Sequence, residues 1–197
     1  MLAEDRARPY LTEQVVLDRA RAGDSEAFDR LFREHKDGVY SCLWHLLDGE
    51  AEVVEEAVGS VFLNAYRSLA RFRGDSAFST WLYRIAVNEA HARLREKRRR
   101  KLLSWLSMHE PKTVNECHSR LDDPAERLLR TEDELSLRRA VNSLPEPYRT
   151  PVVLRYIGGM PAPEISAALG RPAGTVRYQL SRALQILRER LGSDWTK

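Results

Sequence analysis

Cysteine is nearly absent from this chain: Cys42 and Cys117 are the only two in 197 residues. That excludes a disulfide framework and suits a reducing, cytoplasmic setting. Long apolar runs are missing as well. No stretch reaches the ~20 residues of a membrane span, so membrane insertion is not expected. The leading MLAEDRARPY has no apolar segment after its charges, so no secretory signal is expected either. Strand-like alternation is scarce, and internal repeats and low-complexity tracts are absent. There is no phosphate-binding P-loop, nucleophile elbow, His-Glu-x-x-His helix or paired Cys-x-x-Cys. His109, Cys117 and His118 lie near one another, but one cysteine and no tight ligand pair read as a solvated linker, not a metal site. The expectation is a non-catalytic protein without a metal or cofactor.

What is present is helical periodicity over most of the length. Apolar residues at three- and four-residue steps predict a first helix from about Thr12 to Ala22, stopped by Gly23. Asp24 or Ser25 can cap the next helix, which carries Ala27, Phe28, Leu31 and Phe32, then Val39, Tyr40, Leu43, Trp44 and Leu47, up to Gly49. A third runs from about Ala51 to Arg71 and a fourth from about Ala77 to Arg100, with Gly74 bending the chain and Asp75 or Ser76 as its cap. Residues 107–125, with two prolines, mixed charge and no apolar period, read as a linker. Helix resumes near Ala125 and runs to about Ser143. Another, with Pro147 in its first turn, ends near Ile157-Gly158-Gly159. The fold class is all-α, with two small helical domains at 1–100 and 126–197 joined by a flexible linker at 101–125.

Charge is segregated. Residues 93–101, RLREKRRRK, carry seven bases and one acid, and residues 171–190 carry five bases and one acid, which leaves the rest of the chain acidic. Two basic islands suit two separate polyanion contacts. The second lies in EISAALGRPAGTVRYQLSRALQIL, a short helix over Pro163–Leu169, a turn at Gly170-Arg171-Pro172 and a long helix to about Leu191. That is a helix-turn-helix pattern. Val176, Leu180, Leu184 and Leu187 form the inward stripe of the second helix. Thr175, Arg177, Tyr178, Gln179, Ser181 and Arg182 face outward or lie at the stripe's edge, with side chains suited to base edges and phosphates. The first island follows FRGDSAFSTWLYRIAVN. An aromatic start and a basic end on one helix is the chemistry needed to hold unstacked bases and their backbone. Arg73-Gly74-Asp75, in a chain without a secretion signal, reads as loop chemistry only.

RFRGDSAFSTWLYRIAVNEAHARLR resembles region 2, and LPEPYRTPVVLRYIGG with EISAALGRPAGTVRYQLSRALQILRERL resembles region 4, of the extracytoplasmic-function (ECF) sigma factors in the sigma-70 family. Order, spacing and linker match over about residues 13–192. The resemblance implies a promoter-recognition subunit of bacterial RNA polymerase that opens the −10 element and reads the −35 element. It implies a −10 pocket from Phe72, Gly74, Asp75, Ser76 and Ala77, with Trp81 and Asn88 beside it and Arg95, Lys97 and Arg98 on phosphates. It implies −35 contacts from Arg155, Pro172, Gly174, Thr175, Arg177, Tyr178, Gln179, Ser181 and Arg182. Core polymerase, through its β′ coiled coil and β flap, is the implied partner, met by Glu52, Glu55, Glu56, Ser60 and Phe62. An anti-sigma factor is a further expected partner, and residues 110–134, eight acids against four bases, are expected to thread a nucleic-acid channel.

This chain departs from the family pattern at three places. Gly59-Ser60 stand where the family has a Gln-Glu pair, Met160-Pro161-Ala162-Pro163 lack the usual Ser cap, and Gln179 stands where Arg is frequent. Arg favours guanine and Gln favours adenine, so a different −35 preference is expected at one base pair. A stand-alone helix-turn-helix regulator would explain residues 160–191 but leave the aromatic-basic helix unused. A protein-interaction module explains neither basic island.

Overall fold

The computed structural model describes residues 13–47, 49–107 and 132–191, and among them every regular element is helical. His109, Cys117 and His118, and most of the expected linker, lie outside the described residues. Helix α1, Glu13–Arg21, buries Val16, Leu17 and Ala20 and ends at a turn through Gly23. Helix α2, Ser25–Leu46, starts at Asp24, whose carboxylate accepts from the N–H of Glu26 (3.0 Å) and of Ala27 (3.2 Å). Of the two expected caps, Asp24 is the one used. Those bonds, the Ala27 amide foremost, hold its carboxyl below the usual carboxylate range.

Helix α3, Ala51–Ser68, turns Val54, Ala57, Val61, Phe62 and Ala65 inward and tightens into a 3-10 turn at Leu69–Arg71. The helix expected to reach Arg71 therefore finishes in a narrower form. Helix α4, Phe78–Ser107, continues past the boundary expected at residue 100. Its first backbone bond, Trp81 N–H to Ala77 O, starts the helix at Ala77, while Ser76 Oγ donates to that same carbonyl. The expected cap at Asp75 or Ser76 is thus displaced onto Ala77. Phe78, Trp81, Leu82, Ala86, Val87 and Ala90 form the buried face. α2 packs on α1, α3 and α4, and α3 packs on α4. Each fully buried Leu in such a bundle contributes about 1.5–3 kcal/mol.

The second unit comprises α5 (Glu132–Asn142), α6 (Glu146–Tyr156), α7 (Ala162–Leu169) and α8 (Ala173–Leu191). Pro147 lies in the first turn of α6 and Pro163 in that of α7, where the missing N–H has no helical partner to lose. The start of α7 has no side-chain cap, as its Pro-rich lead predicts. Gly170 ends α7 with φ 61 and ψ 33, the left-handed conformation that spares a Cβ clash. α8 then packs across α6 and α7.

The two units are in direct contact. α2 packs on α5 and α6, and α4 packs on α7. His45 Nδ1 lies 3.2 Å from Asn142 Oδ1, and the Arg138 guanidinium sits 4.4 Å over the Trp44 ring. The second unit thereby lies across the same helix that carries the first basic island.

Candidate nucleic-acid interface

The stretch 72–77 leaves the 3-10 turn through Phe72 in extended backbone and bends at Gly74, φ +79. A Cβ on Gly74 would meet nothing within 4 Å, so the constraint there is conformational rather than steric. The loop borders a cavity of about 340 Å³ lined by Phe72, Asp75, Ser76 and Trp81, with Arg71, Arg73 and Arg84 around it. Phe72, Phe78 and Trp81 form a buried aromatic trio with centroids 5.2–5.9 Å apart. Phe72 and Trp81 therefore support the loop from below with their rings mostly in the core. Gly74, Asp75, Ser76 and Ala77 are exposed above them.

From this loop one face of α4 continues in helical steps through Thr80, Arg84, Asn88, His91, Arg95 and Arg98. Arg84, Asn88, Arg95 and Arg98 are exposed. Thr80, Arg84 and His91 were missed by sequence reasoning; their helical spacing of eight and four residues before Asn88 and three after it was the signal that could have found them. Lys97 lies on the other side, its Nζ 2.7 Å from Glu50. Arg99 and Arg100 are engaged by Glu96 at 2.8 and 2.9 Å, and the bonds, that from Arg99 foremost, hold the Glu96 carboxyl down at about 2. Seven bases in sequence thus become a narrower cationic stripe.

The acidic start of α3 exposes Glu52, Glu55 and Glu56. Phe62 is buried, edge-on to Phe32 at 4.6 Å. Ser60 is half-buried: its hydroxyl donates to Glu56 O (3.0 Å) and accepts from Arg93 Nη2 (3.2 Å). Arg93 also reaches Glu56 (3.2 Å) and Glu89 (2.8 Å), tying α3 to α4. These bonds raise the Arg93 pKa although burial opposes them.

Pro172, just before α8, and Gly174, Thr175, Arg177, Tyr178, Ser181 and Arg182 on it are exposed. Gln179 differs from its expected place. It is 9% exposed, in a buried stripe with Val176, Ala183 and Leu187, and accepts from Arg171 Nη1 at 3.4 Å. Leu180 and Leu184 are only half-buried, so the stripe is rotated by about one position from the expected one. Arg155, at the end of α6, donates to Met160 O at 3.2 Å. The Cys42 thiol is fully buried in the core, which pushes its pKa up to about 12 and leaves it inert. Among the described residues no cluster of His, Cys, Asp and Glu could hold a metal, and no helix is long and apolar enough to cross a membrane.

The family described as "Sigma-70 region 2" matches residues 31–100, and "Sigma-70, region 4" matches residues 134–187. The chain is 36% identical over 181 residues to the ECF RNA polymerase sigma-E factor of Escherichia coli, covering 90% of this chain and 93% of that one. It is 32% identical over 177 residues to the RNA polymerase sigma-H factor of Pseudomonas aeruginosa, covering 89% and 91%. Similar folds occur in CnrH bound to the cytosolic domain of CnrY (TM-score 0.66, 23% identity, 92% of this chain and 98% of that one). Another is the sigma factor RpoE bound to the anti-sigma factor NepR from Bartonella quintana (TM-score 0.69, 22% identity, 85% and 98%).

Proposed function

The chain belongs to the ECF group of the sigma-70 family, alternative sigma factors that direct promoter-specific transcription by RNA polymerase, and from that premise we propose how its residues divide the work. The observation that carries the division is the face of α4. It runs unbroken from the 72–77 loop and its cavity through Arg84, Asn88, Arg95 and Arg98. Such a face takes a flipped −10 base at Gly74, Asp75, Ser76 and Ala77, reads the element with Asn88, and follows the strand with cations. Arg177, Tyr178, Thr175, Ser181 and Arg182 on α8 enter the −35 major groove, with Pro172, Gly174 and Arg155 at its phosphates. The acidic start of α3 meets the β′ coiled coil of core polymerase, and the second unit meets the β flap.

In this reading the protein is a non-catalytic, cytoplasmic subunit. Captured bases offset the lost stacking of about 1.4 kcal/mol per step, so no nucleotide hydrolysis is needed. An anti-sigma factor is a proposed partner. The test is reconstitution with core polymerase and Asn88→Ala. The variant should slow open-complex formation more than initial promoter binding; equal loss of both argues against a −10 role. Tight duplex binding without core, and no promoter-specific transcript with it, overturns the whole reading.

A further inference from the structure

Helix α4 outlasts the body it packs on. Ala90 is fully buried, but from Lys97 to Trp105 every residue is exposed. At about 1.5 Å per residue, roughly 13 Å of helix lies beyond the packed core. Between Lys97 and Ser107 there are five bases and no acid. Three large apolar side chains follow those bases: Leu102 is 57% exposed, Leu103 51% and Trp105 72%. With about 3.6 residues per turn, Leu102, Leu103 and Trp105 share one side of the helix, while Lys97, Arg100, Lys101 and Ser104 share the other. Arg98 and Arg99 sit one turn earlier on the apolar side. Glu96 is common to Arg99 and Arg100, so one carboxylate faces two guanidiniums and the end of the helix stays cationic.

Water-exposed Leu102, Leu103 and Trp105 beside a run of cations fit a partner that is apolar and anionic at once. Nucleic acid would take the cations and could stack on Trp105, but it offers nothing to two leucines. An anionic bilayer surface meets all three chemistries. Its phosphates suit the bases, its headgroup boundary suits the indole, and its acyl chains suit the leucines. We propose that the distal end of α4, from Lys97 to Trp105, is an interfacial anchor that lays the chain on an anionic phospholipid surface without spanning it. Neither the polybasic run nor the short apolar face suffices alone, and the electrostatic half is screened by salt. The anchor does not depend on the assignment of the α4 face to the −10 strand.

The test uses the full chain, without polymerase or DNA, in flotation with vesicles of phosphatidylglycerol and phosphatidylcholine in equal parts. The wild type should float with them, and should bind vesicles of phosphatidylcholine alone about tenfold more weakly or less. Leu102→Ser with Trp105→Ser should cut binding about tenfold or more, and Lys101→Gln about fivefold. Leu63→Ser removes an exposed leucine from α3 instead, and should leave binding unchanged. Brominated acyl chains should quench tryptophan emission, Trp44 and Trp81 being buried; Trp105→Phe should still bind while losing most of that quenching. No flotation with the anionic vesicles overturns the anchor. So does flotation that the Leu102 and Trp105 pair leaves unchanged, which would be attraction of cations alone. If that pair instead weakens association with core polymerase while vesicles bind no chain, the face belongs to a protein and the anchor falls. The flotation assay holds no promoter, so its failure leaves the −10 and −35 assignments standing. Failure of promoter-specific transcription in reconstitution leaves the anchor standing.

Discussion

Arg93 Nη2 donates to Ser60 Oγ across 3.2 Å, from the middle of α4 to the middle of α3. Ser60 thus serves the chain's own helix pair. With Glu56 and Glu89 as its other partners, Arg93 fixes the angle at which the acidic α3 face is presented. Arg93→Ala should lower the unfolding free energy by about 1 kcal/mol, Glu56 being largely solvated and Glu89 and Ser60 partly buried. In a urea-denaturation double-mutant cycle with Ser60→Ala, the two losses should be non-additive. Full additivity would mean that the contact carries nothing.

Gly59 beside it is exposed, and a Cβ there would meet nothing within 4 Å. Nothing inside the chain requires glycine, and mid-helix glycine costs about 1 kcal/mol relative to alanine. Gly59→Ala should raise the free chain's stability by about 0.5–1 kcal/mol in thermal melts. If core polymerase approaches α3 closely at this position, the same variant should bind core more weakly, read by fluorescence anisotropy. Unchanged core binding would leave Gly59 without a partner-facing role.

Gln179 is tucked under Arg171 in the buried stripe of α8. Gln179→Arg should therefore act first on stability, placing a second guanidinium beside Arg171 at a loss of about 1–3 kcal/mol. Arg177→Ala, on the exposed face, should leave the melting temperature unchanged and weaken −35 duplex binding by about 1–3 kcal/mol. A shift in base preference from Gln179→Arg without loss of stability would restore Gln179 as a direct reader.

Contact between the units should depend on pH. His91 faces Glu146 and Thr150 of α6, Arg171 of the α7–α8 turn, and Arg95 and Arg98 of its own helix. Burial lowers its pKa, outweighing the opposing pull of Glu146. The closed form holds His91 neutral, and the open form binds the proton more tightly, so closure weakens as pH falls below about 6.5. Glu146 has its pKa lowered, by the Arg98 bond foremost, so its contribution is lost only in the more acid range below the ordinary carboxylate value. The radius of gyration from small-angle scattering should rise between pH 7.5 and 5.5, and His91→Gln should flatten that rise. A flat wild-type profile would refute the dependence.

Much of the fold was legible because each helix carries its own punctuation. Asp24 caps α2, Gly23 and Gly170 end α1 and α7, and Pro147 and Pro163 lie in first turns. The loop at Gly74 and the exposed Asn88 were legible too, a polar residue in an apolar run having to face outward. Local signals misled where a neighbour overrode them. The cap of α4 moved from Asp75 or Ser76 to Ala77, and its end to Ser107, since apolar periodicity marks the packed middle of a helix better than its ends. Gln179 went inward because the buried stripe of α8 includes its position and Arg171 supplies a polar partner.

The sequence by itself determined the helices, the two units, the family and the two basic islands, all properties of short-range spacing and composition. Only the tertiary structure decided that Lys97 is spent on Glu50 and Arg98 on Glu146, and that Ser60 belongs to Arg93. It alone brought Glu146 and Glu164 onto the face of α4. Those are pairings between residues far apart in the chain. No local propensity encodes them, because they depend on how whole helix faces pack against one another.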